Sequence, residues 1–167
     1  MNHFLIITNE FKDKGLVFTE KIRRYIEARG GSCQCYSRDD ARHAAPDSAD
    51  IAEGTECVLV LGGDGTLIRA AAKLGDEKLP LIGVNLGTLG YLCELEAANI
   101  FDAIDELMDG HYMLEERMML SAYGIKNGIQ TEAKTALNDV VIHRTGALSV
   151  VNLIVSVNGE YLNTFRA

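Results

Sequence analysis

The spacing of apolar residues changes period near residue 110, and the change divides the chain into two kinds of secondary structure. Residues 3–8, His-Phe-Leu-Ile-Ile-Thr, form a short apolar run suited to a buried strand. From Leu16 to Arg29 the apolar positions Leu16, Val17, Ile22, Tyr25 and Ile26 recur at helical spacing, and Gly30-Gly31 supplies the stop. A second strand is expected over Ser32–Tyr36, and the polar, acidic stretch from Ser37 to Thr55 reads as a loop. Cys57–Leu61 is a continuous aliphatic run, the pattern of a strand buried on both faces of a parallel sheet. It leads through Gly62-Gly63-Asp64-Gly65 into an Ala-rich helix, Thr66–Leu74, with Thr66 placed as its cap. Pro80–Val84 is a further strand, followed by a second glycine-rich passage from Asn85 to Tyr91. A helix over Ala97–Met108 carries Ile100, Phe101, Ile104, Leu107 and Met108 on one side and ends at Gly110. The order is that of a Rossmann-like α/β domain with a parallel sheet, whose ligands lie beyond the strand C-termini.

After Gly110 the helical period disappears. Arg117–Lys126, Ile129–Ala136, Asp139–Arg144, Leu148–Val157 and Tyr161–Arg166 are strand-like and rich in Val, Ile, Thr and Tyr. Asn127-Gly128 and Asn158-Gly159 are strong two-residue hairpin signals. The fold class expected is therefore α/β, with a parallel-sheet domain over residues 1–112 followed by the start of an antiparallel β domain over 113–167. So few antiparallel strands make a thin core and leave the last one as an edge, so a truncated C-terminal part is expected.

Composition narrows the function classes. A chain 47% hydrophobic and 24% charged is ordinary for a folded soluble protein. No apolar run approaches the roughly 20 residues of a membrane helix, and the first residues resemble no signal peptide, so a cytoplasmic location is expected. The net charge of −8 argues against nucleic acid or an anionic membrane as partner, but leaves room for a small phosphorylated ligand. Cys33, Cys35, Cys57 and Cys93 have poor spacing for zinc and read as buried reduced thiols, with Cys33 and Cys35 on one face of a strand.

The candidate chemistry sits in the first glycine turn. A strand–turn–helix junction aims free N–H groups and the helix dipole at one point, which suits phosphate. No Gly-Lys-Ser/Thr follows, so this is not a Walker loop, and Ile68 stands where the dinucleotide fingerprint has its third glycine. Asp64 is unusual here, because an anion repels phosphate. Two tasks suit it: general base for an attacking hydroxyl, or holding a Mg²⁺ that bridges phosphate oxygens. Asp-Gly is also a common turn dipeptide that needs no function.

Gly62-Gly63-Asp64-Gly65-Thr66, with Leu67 and Arg69 behind it, resembles the phosphate-binding motif of the NAD kinases. Lipid kinases and 6-phosphofructokinases carry similar turns, but Asn85-Leu-Gly-Thr-Leu-Gly-Tyr-Leu92 is similar to the second NAD kinase motif and lacks the lipid-kinase pattern. Glu116–Leu120 and Leu137–Ile142 resemble two further segments of the family. The resemblance implies phosphorylation of the adenosine-ribose 2′-hydroxyl of NAD by ATP with Mg²⁺, in a homodimer or homotetramer. Asp64 would be the catalytic base, and Gly62, Gly63, Gly65 and Thr66 would cradle phosphates. Tyr91 would pack on adenine, Asn138 and Asp139 would bind NAD hydroxyl and base groups, and Arg69 would balance phosphate charge. No protein-held metal site is implied. Asp139 stands where most members have Glu, one methylene longer. Thr164-Phe-Arg-Ala167 is similar to the start of a segment that continues with Asp-Gly in the family, with Arg166 matching its arginine, so this chain is expected to be inactive alone. The alternatives are a lipid or sphingoid kinase and a silent nucleotide-binding module.

Overall fold

The computed structural model describes residues 1–38, 46–87, 90–143 and 150–166. Five strands, β1 (His3–Asn9), β2 (Ser32–Arg38), β3 (Cys57–Gly62), β4 (Leu81–Asn85) and β5 (Leu95–Glu96), form one sheet in the order β2-β1-β3-β4-β5. Every pairing in it is parallel. Three helices, α1 (Val17–Ala28), α2 (Asp64–Leu74) and α3 (Ile100–Met108), cover its faces.

The alternation of side chains along β1 and β3 decides which helix each residue meets. Phe4, Ile6, Leu59 and Leu61 pack with Ile22 and Ile26 of α1 and Ile100, Ile104 and Leu107 of α3. Leu5, Ile7, Val58 and Val60 face the other way, onto Leu67, Ala70 and Leu74 of α2. Burial of such side chains contributes about 1.5–3 kcal/mol each. The entry to α1 is fixed by buried Asp13, whose carboxylate accepts the N–H of Phe18 (3.0 Å), the N–H of Thr19 (2.8 Å) and the Thr19 hydroxyl (2.7 Å). Desolvation pushes the Asp13 carboxyl up, but those donors together hold it below the usual range.

The chain runs from β1 outward to β2 and then returns to place β3 on β1's other side. That reversal opens a crevice at the C-terminal ends of β1 and β3, where ligands of such sheets bind.

Beyond Gly110 the strands are short and pair in twos: β6 (Leu120–Ala122) with β9 (Lys134–Ala136), β7 (Ile125–Lys126) with β8 (Ile129–Gln130), and β10 (Asn152–Val157) with β11 (Glu160–Arg166). All three pairs are antiparallel. Both expected hairpin turns are present, with φ of 53° and 76° at Asn127-Gly128 and 52° and 86° at Asn158-Gly159. Positive φ at both central residues is the type I′ geometry that matches strand twist. One link to the α/β layer is the Thr135 hydroxyl, which donates to the carbonyl of Ala72 in α2 at 3.2 Å.

Several expectations shift. Helix α2 begins at Asp64, so extended Gly63 is its cap and Thr66 lies within the first turn. Strand β5 is an unforeseen fifth strand. Asp139–His143 form no strand, and Val140, Val141 and Ile142 are exposed; Arg144, Leu148 and Ser149 lie outside the described residues, as do Thr88 and Leu89 of the second glycine passage. All four cysteines are free thiols, but Cys35 is exposed because β2 is an edge strand, and Cys33 is half-buried.

Candidate active site between two glycine turns

Gly62 closes β3, and its carbonyl gathers three segments. It accepts the N–H of Leu86, just after β4, at 2.9 Å, and the Lys12 ammonium, just after β1, at 3.2 Å. The Thr66 side chain folds back on the same residue: a Cβ added to Gly62 would stand 2.4 Å from Thr66 Oγ1. Thr66 is buried, and its hydroxyl accepts the Asn9 amide at 3.4 Å. Thr66 therefore fastens the turn to β1 from inside.

Asp64 opens α2 and joins the two glycine passages. Its Oδ2 accepts the N–H of Tyr91 at 2.8 Å, and its Oδ1 accepts those of Leu92 at 3.1 Å and Cys93 at 3.2 Å. Gly90 makes this approach possible, since a Cβ there would lie 2.2 Å from Asp64 Oδ1. The Tyr91 N–H foremost, then those of Leu92 and Cys93, hold the Asp64 carboxyl below the usual carboxylate range against an opposing push from desolvation. Burial, with the Asp64 charge beside it, pushes the Cys93 thiol up to about 11. The Cys93 thiol also reaches this carboxylate, so three backbone N–H groups and one thiol hold it in place.

At the start of α2 the N–H groups of Thr66 and Leu67 donate to the Gly63 carbonyl at 2.8 and 3.1 Å. Helix geometry leaves those of Asp64 and Gly65 without an intrahelical acceptor, and no side chain caps the helix. Beside Lys12 and the start of the second glycine passage lies a cavity of about 470 Å³, lined by Lys12, Phe18, Asn85, Leu86, Gly87 and Glu96 among others. Asn85 is buried, and its Oδ1 accepts the Gly87 N–H at 2.9 Å, which shapes the cavity floor.

Among the described residues, the side chains of the remaining expected residues make none of the hydrogen bonds that build this cluster. Arg69 is exposed one turn along α2, with a guanidinium nitrogen 3.4 Å from where a Gly65 Cβ would stand. The Tyr91 ring is fully exposed, although its N–H is engaged. Asn138 donates to Asp139 at 3.2 Å, and both are exposed. Arg166 pairs with Asn152 across the last hairpin. Among the described residues, Asn138, Asp139 and Arg166 make no hydrogen bond to the glycine turns. Sequence reasoning missed Asn9, Lys12 and Gly90. The signal for the first two was their polarity at and just after the end of a buried strand, the end where ligands of such sheets bind.

The described residues gather no group of three or more His, Cys, Asp or Glu side chains, so no protein-built metal cage is formed by them. No helix among them is long and apolar enough to cross a membrane.

The sequence model of the ATP-NAD kinase N-terminal domain matches residues 15–112, more than half of the chain. The chain belongs to the NAD kinase family. The NAD kinase of Agathobacter rectalis is 50% identical over 171 residues, covering 100% of this chain and 59% of that protein. The NAD kinase of Lachnospira eligens is 40% identical over 171 residues, covering 100% and 58%. The chain thus spans under two thirds of the length of these NAD kinases. Its fold is that of the yeast NADH kinase crystallised with NADH, with a TM-score of 0.67 at 18% identity over 98% of this chain and 55% of that one.

Proposed function

We propose that the whole protein is an NAD kinase that transfers the γ-phosphoryl group of ATP to the 2′-hydroxyl of the adenosine ribose of NAD. The observation that carries this reading is the Asp64 carboxylate, held ionised by three backbone N–H groups where two glycine turns and a helix start converge. The ribose oxygen bonds to the γ-phosphorus as the bond from that phosphorus to the β,γ-bridging oxygen breaks. ADP leaves with that electron pair, and the hydroxyl proton passes to Asp64. Its lowered pKa keeps Asp64 in the base form at neutral pH. A weak base suffices where the transition state is loose and catalysis is mostly positioning and electrostatics.

In this reading Gly63 and Gly65 expose backbone to the phosphates, and buried Gly62 shapes the turn with its carbonyl held by Leu86 and Lys12. Thr66 acts as a positioning residue because its hydroxyl faces Asn9. Arg69 balances phosphate charge. The open Tyr91 ring stacks on adenine, and Asn138, Asp139 and Arg166 serve NAD from residues 113–167, the β portion distinct from the α/β domain of 1–112. Mg²⁺ comes as part of the MgATP substrate, since such ions bind mainly through nucleotide phosphates. The family resemblance supports a homo-oligomer, and the chain's composition and acidity support a cytoplasmic enzyme with no nucleic-acid or membrane partner. The test is the full-length protein with ATP, offered NAD and diacylglycerol side by side. Selective appearance of NADP supports the reading; phosphorylation of the lipid alone overturns it.

A further inference from the structure

We propose that Lys12 holds the donor's β- and γ-phosphates where the two glycine turns meet, with the donor's nucleoside seated in the adjoining cavity against Phe18, Leu86 and Ala97. This rests on the ATP-dependent reading above and assigns its donor side.

The position of Lys12 is built into the end of β1. Its backbone N–H and that of Asp13 both donate to the Asn9 carbonyl, at 3.0 and 3.1 Å, and the Phe11 N–H donates to Asn9 Oδ1 at 3.1 Å. The Asn9 amide in turn reaches Thr66 in the first glycine turn. One asparagine thus fixes the Lys12 backbone and ties it to the strand–helix junction.

The ammonium then lies against both turns. A Cβ on Gly63 would stand 2.7 Å from Lys12 Nζ, and one on Gly87 would stand 3.1 Å from it. Neither glycine has a left-handed φ; Gly63 is extended at −164°. Space beside the ammonium, not backbone freedom, is therefore what these two glycines supply. An ammonium has three donors, and the Gly62 carbonyl takes one, so two remain for phosphate oxygens. Lys12 thus adds a positive charge beside the Asp64-bearing turn, in addition to that of Arg69 next to Gly65.

The cavity beside it fits the rest of a nucleotide. Its volume of about 470 Å³ lies within the usual range for small-ligand sites. Phe18, Leu86 and Ala97 offer apolar surface for a base. Of the two acids lining it, Asp13 is committed to the N–H groups of α1, and Glu96 is exposed and suits ribose hydroxyls.

The test uses the full-length protein with Lys12→Met, Lys12→Arg and Ala97→Trp. Each is measured for KM of ATP, KM of NAD, calorimetric Kd of ATP and of NAD, and Tm. Lys12→Met should raise KM and Kd of ATP about tenfold to a hundredfold, with NAD binding unchanged and Lys12→Arg partly restored. Ala97→Trp should weaken ATP at least about fivefold by filling the seat, again sparing NAD. ATP constants within about twofold of wild type in Lys12→Met, or equal losses for NAD and ATP at an unchanged Tm, overturn the phosphate role. Unaltered ATP binding in folded Ala97→Trp overturns the nucleoside seat. A wild-type protein that binds ATP in a Lys12-dependent way yet leaves NAD unphosphorylated overturns the acceptor and preserves this donor site.

Discussion

Strands β3 and β10 are each six residues long and each carries four residues from the aliphatic and β-branched set typical of sheets, yet their surroundings differ completely. β3 is buried at every position; β10 is exposed or half-exposed at every position. β3 has a strand on either side and helices on both faces, whereas β10 pairs with β11 alone. Propensity makes a strand, but packing partners make a core. The glycine turn that carries Asp64 grows from a strand with partners on both edges and both faces, a setting that can hold a reacting group rigidly.

Replacing Leu59, fully buried in β3, by Ala should destabilise the 167-residue chain by about 2–5 kcal/mol in chemical denaturation. A loss below 1 kcal/mol, on the order of an exposed substitution, would break the comparison at its stronger end. Gly90→Ala comes next. Its Cβ collides with Asp64 Oδ1, so the two turns must part, with an expected loss of about 1–3 kcal/mol and a sharp fall in the proposed NAD phosphorylation by the full-length protein. An unchanged Tm and rate would show that the two turns are not joined at Asp64.

The same junction has a pH signature. The Asp64 pKa in the folded chain lies below its unfolded value of 3.8, so its contribution to stability is present above about pH 3.8 and is lost as pH falls through the folded value. The Tm difference between wild type and Asp64→Asn should therefore shrink as the pH is lowered below about 3.8 and through the folded value. A difference that persists or grows on acidification would contradict the hydrogen-bonded ionised carboxylate. The smallest effect is expected for Ile154→Ala in β10, within about 0.5 kcal/mol, because that side chain is 74% exposed. A loss comparable to that at Leu59 would mean that β10 has a core partner after all.

The contrast also explains what the sequence revealed. Long periodic segments were legible because periodicity records burial: β1, β3 and the apolar side of α3 follow their patterns closely. The Asn-Gly turns were legible because positive φ at two successive positions selects those residues. Strand β5 was not, since two residues are too few to show alternation. Val140, Val141 and Ile142 looked like a strand by composition, but an apolar run states only what a segment could bury. In the site, the glycines and Asp64 stood out by motif, while Lys12 did not. Its meaning comes from the return of β3 beside β1, which brings residue 12 to residues 62 and 87. The three N–H groups on Asp64 were equally hidden, because backbone donors leave no mark on residue type; only Gly90 hinted at the close approach.

In the proposed reaction Asp64 receives the ribose proton, and the kinetics of Asp64→Asn in the full-length protein test that most directly. The amide keeps nearly the same shape but cannot take the proton. NADP formation from NAD and ATP should fall in kcat by about 10²–10⁴-fold, with the calorimetric Kd of NAD within about threefold of wild type. A kcat within about tenfold of wild type at unchanged NAD affinity would contradict the assignment and leave Asp64 as a tie between two loops.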